Sequence, residues 1–329
     1  MKRIRAVIVG AGAISENHLK AMQDSSRTEL LAVADLEQQR LEQCAAAYSI
    51  RTYHDYKAMI LQERPDVVVI TLPHFLHKEA VIWCAEQDCH VLVEKPMAMN
   101  VQECREMNEA AARNGIILAV GHMQHYFPAL IRAREILRSG RLGKLIMMDD
   151  RRWCNYFHPG RPAWFLERAK SGGGIVVNLG SHSIDKLQWL TDSRVTSVKA
   201  SLTAYGERGD VEGSASLFLE TTEGVTATVS LCGYRQSIVN ETELLLTGGQ
   251  LKLQGSNKLW LYDGQSDGYE AIDTDDLPEA FAAQWDDMLN AVQFGGELGI
   301  SGEYGQSVAS VVEAIYRSHS SGREQIVII

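Results

Sequence analysis

Over the first third of the chain, short runs that are apolar throughout (IRAVIVG, LLAVAD, PDVVVITL, HVLVEKP and IILAVGH) alternate with segments such as SENHLKAMQ, LEQQRLEQCAAAY and VQECREMNEAAARN, which read as helices. Strands that are hydrophobic on both faces belong in a parallel sheet covered by helices on each side. The pattern predicts a doubly wound α/β domain over residues 1–121. After Gly121 the pattern changes. PALIRAREILRSG reads as a helix, GKLIMMDDRR as a strand and NLGSHSIDKLQWL as a second helix. From about residue 195, VTSVKASLTAY, SASLFLE, VTATVSLC and TELLLT follow with turn signals at ERGD, TEG and TGG. Residues 122–329 are therefore expected to form an α+β domain around an antiparallel sheet with one face covered. Apolar residues at 308, 311, 312 and 315 predict a helix that packs back onto the body.

Bulk properties narrow the class. A chain of 329 residues has room for two domains with cores, and 45% hydrophobic with 22% charged residues is the make-up of a folded, soluble protein. A net charge of −10, with no Lys/Arg run of four, argues against nucleic acid or an anionic membrane surface as partner and favours a small molecule. Cys44, Cys84, Cys89, Cys104, Cys154 and Cys232 form no CxxC pair, so reduced thiols and a cytoplasmic setting are expected, with no metal. The opening MKRIRAVIVGAGAI imitates a signal peptide, but it leads into SENHLK without a small-residue cleavage pattern. No other stretch approaches the length of a membrane span.

Candidate chemistry begins at Gly10-Ala11-Gly12-Ala13-Ile14-Ser15, where the first strand turns into the first helix. A pyrophosphate can rest there on backbone N–H groups and the helix dipole. A tight turn with no ligand is the alternative, and Ser15 stands where the fingerprint has its third glycine. Asp35 closes the second strand, at the position of the carboxylate that binds the adenosine ribose hydroxyls and repels a 2′-phosphate. NAD is favoured over NADP on that ground, although Arg40 lies close enough in sequence to approach a phosphate. Asp35 also reads as the N-cap of the following helix. Further along, TLPHFLH (71–77) and Val93-Glu94-Lys95-Pro96 fall at the carboxyl edge of the sheet, where such folds place ligands. Lys95 is either a solvent-facing strand end or a functional group held between Glu94 and Pro96.

Taken in order, GAGAISENH, PHFLH, EKP, VGHMQHYFPAL and GGGIVVNLGSHSID resemble the glucose-fructose oxidoreductase and inositol dehydrogenase family (Gfo/Idh/MocA), over essentially the whole chain. The resemblance implies a Rossmann domain (1–121) followed by a substrate and oligomerisation domain (122–329) with a large open, mostly antiparallel sheet, used for homodimer or homotetramer contacts. It implies Lys95 and His182 as the catalytic pair, supported by Asn178. The cofactor would be lined by Gly10, Gly12, Ala13, Ile14, Asp35, Leu72, Pro73, His74, His77, Glu94, Lys95, Met123 and Trp164. The substrate would meet Lys95, Met123, Arg152, Tyr156, Asn178, His182 and Asp185.

In GGGIVVNLGSHSID, residues 178, 182 and 185 are expected on one face of the helix that they begin. Family members commonly carry aspartate at 178. Asparagine keeps hydrogen bonding but supplies no charge to balance an imidazolium. His182 alone would read as a core histidine, and Asp185 reads equally as a ligand of a substrate hydroxyl or as support for its own helix. Arg151, Arg152 and Arg161 fit an anionic substrate group or ion pairs. Trp153, Tyr156 and Trp164 fit a sugar face or the core. The reaction implied is NAD(P)-dependent interconversion of a secondary alcohol and a ketone on a sugar, sugar derivative or cyclitol, with His182 as base and Lys95 polarising the oxyanion. The alternatives are a glycosidase or lyase that uses NAD transiently, and a non-catalytic sensor.

Overall fold

The computed structural model describes residues 2–206, 208–234, 237–265 and 267–328. The chain divides into two compact units, residues 1–122 with 279–306, and residues 123–278 with 307–329.

The first unit alternates strands and helices: β1 (Ile4–Val9), α1 (Ser15–Asp24), β2 (Thr28–Ala34), α2 (Gln38–Tyr48), β3 (Arg51–Tyr53), α3 (Tyr56–Glu63), β4 (Val67–Ile70), α4 (His77–Glu86), β5 (His90–Val93), α5 (Val101–Asn114) and β6 (Leu118–Val120). Its six strands pair in parallel in the order β3-β2-β1-β4-β5-β6. This is the doubly wound order, with its switch point between β1 and β4. All four residues of β4 are buried, which is why the run VVVI is apolar without alternation. β3, with two of its three residues exposed, carries no such run and escapes a reading by hydrophobicity. The amphipathic helix α5 buries Cys104, Met107, Ala110 and Ala111. Asn100 caps its start by accepting from the Glu103 N–H at 2.9 Å, and Gly115 ends it in a left-handed conformation.

The second unit opens with α6 (Pro128–Ser139), β7 (Leu145–Trp153), the single turn α7 (Arg168–Ser171) and α8 (Ser181–Thr191). The strands β8 (Val195–Thr203), β9 (Ser214–Thr221), β10 (Thr226–Cys232), β11 (Val239–Leu246), β12 (Gly249–Gln254), β13 (Lys258–Tyr262) and β14 (Glu270–Ile272) follow. After α9 (Ala280–Phe294) and α10 (Gly302–Ser321), β15 (Gln325–Ile326) completes a nine-stranded sheet ordered β14-β13-β12-β11-β7-β10-β9-β8-β15. The sheet is mostly antiparallel, and β7 and β10 form a parallel pair within it. Burial alternates along β9 and β10, so one face is covered, as the alternating sequence requires. α10 buries Val308, Val311 and Ile315, and its Ser318 hydroxyl accepts from the Ala200 N–H of β8 at 3.0 Å. Of the ERGD turn signal, Glu207 lies outside the described residues.

Dividing the chain once, at 121/122, needs a correction. Residues 279–306 return to the first unit because α9 presents Phe281 edge-on to His18 and donates from Trp285 Nε1 to Thr28 Oγ1 at 2.8 Å. The Val120 N–H then donates to Ile300 O at 2.7 Å, extending the unit beyond β6.

Candidate active site

In the first unit, Gly10 takes φ +99°, and a Cβ there would meet the Thr71 carbonyl oxygen at 2.9 Å, so only glycine fits the end of β1. Nothing lies within 4 Å of the Cβ position of Gly12, which leaves the turn open to a ligand's approach. Ser15 closes the turn from inside, its buried hydroxyl donating to Gly12 O at 2.6 Å. Ala13 is exposed and Ile14 half-buried at the start of α1. Asp35 Oδ2 accepts from the Ala11 N–H at 2.6 Å and Oδ1 from the Glu37 N–H at 2.8 Å. It therefore ties the glycine turn to β2, and the N-cap position of α2 falls to Glu37. A carboxylate has about four acceptor sites, so two backbone donors leave capacity for a diol. Arg40 Nη1 stands 3.7 Å from Asp35 Oδ2, and beside it a cavity of about 350 Å³ is lined by Gly12, Ala13, Arg40 and Tyr48.

The loops after β4 and β5 are tied together by His77. Its ring is fully buried, with Nε2 2.7 Å from Leu72 O and Nδ1 3.0 Å from Pro96 O, and burial lowers its pKa. His77 thus fastens the backbone that carries Leu72, Pro73 and Lys95. His74 is buried with its ring centroid 5.9 Å from that of His77. Glu94 is buried, with Oε1 2.8 Å from His18 Nε2, and Lys95 beside it is half-buried.

In the second unit the glycine run is a packing requirement. A Cβ on Gly173 would meet Tyr316 Oη at 1.9 Å, and one on Gly174 would meet Glu212 O at 2.1 Å. Glu212 is buried, and its Oε1 accepts from the N–H groups of Gly174 (2.8 Å) and Val176 (3.0 Å) and from the Tyr316 hydroxyl (2.8 Å). A carboxylate on the first N–H groups of a helical segment satisfies and electrostatically favours that end. The segment it anchors is a π turn, Val176–Gly180, that runs into α8. Asn178 sits in this turn and His182 in the first turn of α8, both half-buried.

Several of the expected site residues have partners within the second unit. Asp185 is fully buried, its Oδ1 2.6 Å from His125 Nε2. His125 stacks on Trp189 with centroids 4.8 Å apart, and Arg134 lies 4.3 Å above Trp189. Arg152 is buried, its Nε donating to Asp150 at 3.2 Å and Nη2 to Gln124 Oε1 at 2.9 Å, so its charge is spent internally. Lys186 Nζ is 2.7 Å from the same Asp150, which also accepts from Ser183 and Thr242. Burial acts to raise the Asp150 pKa, but Lys186 and Arg152 outweigh it and hold the carboxyl well below its ordinary range. Burial in turn draws Lys186 down to about 8 against the pull of Asp150. Arg151 pairs with Glu241 at 2.7 Å, and Arg161 lies 4.0 Å above the Tyr156 ring. Tyr156 itself is fully buried, its phenol pushed up to about 12 by burial, with Arg161 and Asn178 opposing the shift. It belongs to the core. Trp153 donates to Ser230 Oγ at 3.3 Å, Trp164 stacks on Phe165 at 3.8 Å, and Met123 opens a 3₁₀ turn, half-buried.

The family model described as an oxidoreductase family with an NAD-binding Rossmann fold, Gfo/Idh/MocA, matches residues 4–122, and the GFO/IDH/MocA C-terminal domain matches residues 130–252. The chain belongs to the Gfo/Idh/MocA family. Its class of activity is that of an NAD(P)-dependent dehydrogenase. A 1-carboxy-3-chloro-3,4-dihydroxycyclohexa-1,5-diene dehydrogenase of Comamonas testosteroni is 31% identical over 232 residues, covering 70% of this chain and 58% of that protein. An inositol 2-dehydrogenase of Rhizobium meliloti is 25% identical over 338 residues, covering 98% of each. An oxidoreductase domain protein from Kribbella flavida shares the fold with a TM-score of 0.91 at 22% identity, over 100% of both chains.

Five residues of this Gfo/Idh/MocA chain escape a reading of the sequence: His18, His125, Lys186, Glu212 and Tyr316. Their partners lie 76, 60, 36, 38 and 104 residues away, so no local spacing marks them. A polar residue inside an amphipathic helix, on the side that the apolar residues share, is the one signal available. His18 beside Leu19 and Met22 gives it.

Proposed function

We propose that the protein interconverts a secondary alcohol and a ketone on a sugar, sugar derivative or cyclitol, with Lys95 and His182 as the catalytic pair. The observation that carries this reading is the arrangement in the first unit. An open glycine turn ends β1, and Lys95 stands at the carboxyl end of β5 next to a buried, hydrogen-bonded carboxylate. The open approach at Gly12, the helix start at Ser15 and the spare acceptor capacity of Asp35 fit a dinucleotide, with NAD preferred over NADP. Bound NAD(P) supplies the hydride acceptor. In the oxidative direction His182 takes the hydroxyl proton and Lys95 stabilises the developing oxyanion, while the hydride leaves the carbinol carbon and the ketone forms. Asn178 supports His182 by hydrogen bonding without adding charge.

Two finer points follow the same reading. The outer face of the large sheet carries half-buried Met147, Trp153, Leu245, Trp260 and Tyr262, and we assign it to contacts in a homodimer or homotetramer. Six free cysteines, four of them buried, fit a reducing, cytoplasmic compartment. The test is a panel of inositols, aldoses, sugar phosphates and amino sugars screened for NADH formation by absorbance. Reduction of NAD by one ring class supports the proposal. If NAD stays bound and no NADH accumulates while a glycoside is cleaved, the transient-oxidation chemistry of a glycosidase replaces it.

A further inference from the structure

This inference rests on the role just given to Lys95 and concerns what holds that lysine. Its neighbour Glu94 is buried at the end of β5, and three groups fix the carboxylate. His18 on α1, 3% exposed, places Nε2 2.8 Å from Oε1. The Lys95 backbone N–H donates to Oε2 at 3.1 Å. Gly121, just beyond β6, leaves the space, since a Cβ there would sit 3.0 Å from Oε1 and 3.1 Å from Cδ. Around this centre, α9 sets Phe281 against the His18 ring with centroids 5.0 Å apart, and His77 of α4 senses the Glu94 charge. Burial acts to raise the Glu94 pKa, and His18 and Lys95 together outweigh it, keeping the carboxyl below its ordinary value.

We propose that His18 is a positioning residue for Lys95, acting through Glu94: by engaging Oε1 it fixes the carboxylate whose other oxygen holds the Lys95 main chain, and it limits how strongly the ammonium is drawn back onto Glu94. His18 and Lys95 compete for the Glu94 carboxylate. A buried carboxylate draws in the strongest donors within reach, because an uncompensated charge there is costly. With His18 engaged, Oε1 has a donor other than the lysine. With His18 replaced by an apolar ring, the adjoining Lys95, whose charge already acts on Glu94, bears more of the compensation, so its ammonium is held more tightly and is less available to an oxyanion. His18 stands in the helix that begins at the glycine turn, so one buried pair ties the nucleotide seat to the catalytic lysine.

The test uses the full chain and begins with a readout that needs neither turnover nor substrate. The pKa of the Lys95 amine is measured by competitive acetic anhydride labelling across pH, followed by peptide mass spectrometry. His18→Phe, which keeps a ring against Phe281 and removes the donor, is expected to raise it by about 1 unit, and Glu94→Gln to lower it by about 1 unit or more. His18→Gln retains an N–H donor and is expected to restore the wild-type value. With a panel alcohol that reduces NAD, His18→Phe is expected to lose on the order of tenfold to a hundredfold in kcat, with NAD affinity within about twofold of wild type. A Lys95 pKa or a kcat unchanged in His18→Phe overturns the proposal. Should that variant fail to fold, an unchanged Lys95 pKa in Glu94→Gln overturns it equally. Full turnover in Lys95→Ala would instead sink the proposed function and leave the labelling result standing, so the two failures are distinguishable.

Discussion

His18 and Glu94 in the first unit, and His125 and Asp185 in the second, are the same kind of buried pair at 2.8 and 2.6 Å, yet they are tied to their surroundings in different ways. Glu94 precedes Lys95 directly, and its second oxygen accepts from the Lys95 backbone, so whatever moves the carboxylate moves the lysine. Asp185 lies one helical turn beyond His182, and its histidine stands on the 3₁₀ turn that Met123 opens, clamped by Trp189 and Arg134. The first pair acts on the charge and main chain of one residue. The second fixes a helix against a turn. A buried histidine–carboxylate pair takes its role from what its second contacts hold.

The largest effect expected lies in the second unit, where Asp150 gathers Lys186, Arg152, Ser183 and Thr242 around one buried carboxylate. Asp150→Asn leaves Lys186 and Arg152 buried without their carboxylate and is expected to cost about 3–5 kcal/mol in urea unfolding at neutral pH. The sign of the pH dependence follows from the depressed Asp150 pKa. Its contribution is fully present above the unfolded value, about 3.9, and is lost as pH falls towards the folded one. The gap between wild type and Asp150→Asn should therefore narrow below about pH 4. A gap that is constant across that range would contradict the role given to the Asp150 charge.

A second experiment sharpens the comparison of the two pairs. His18→Phe and His125→Phe each remove the histidine donor from a buried carboxylate and are expected to cost a similar amount of stability, about 1.5–3 kcal/mol. The His18 change alone should shift the Lys95 amine pKa. If both do so equally, the distinction drawn between the pairs fails. The glycines give a third contrast. Gly174→Ala forces a Cβ onto the Glu212 backbone and is expected to destabilise by about 1–3 kcal/mol, whereas Gly12→Ala meets nothing within 4 Å and should leave melting unchanged while weakening NAD. Thermal melts paired with NAD titration separate the two. The smallest effect is on cofactor choice. Asp35→Ala should weaken NAD and relax discrimination against NADP, and a wild type that already prefers NADP in titration would contradict the reading of Asp35.

How much of this is legible in the sequence depends on where each residue's partner lies. The buried strands of the first unit, Val67–Ile70 above all, announce themselves because every position is apolar. The glycine turn, Asp35 and Lys95 are visible because strand ends and turn chemistry are local. The short, exposed β3 and the return of α9 to the first unit are not, since neither depends on a pattern within its own segment. The same limit governs the candidate site. Arg152 looks like a ligand residue until the folded chain brings up Asp150 and Gln124, and the reason for the GGG run shows only once Glu212 and Tyr316 are seen to fill the space beside it. Residue type at a loop or helix start shows what chemistry is possible there. Whether that chemistry faces a ligand or the core is decided by residues far away in the chain.

The central claim, that the first unit binds the nucleotide while Lys95 and His182 manage the proton and the oxyanion, is tested most directly by comparing NAD affinity with turnover in Lys95→Ala and His182→Ala. NAD binding by titration should stay near wild type in both. Turnover of a panel alcohol should fall on the order of 10²-fold or more, as expected when one electrostatic or acid–base group is removed. Near-normal turnover in either variant, with NAD bound, would contradict the account.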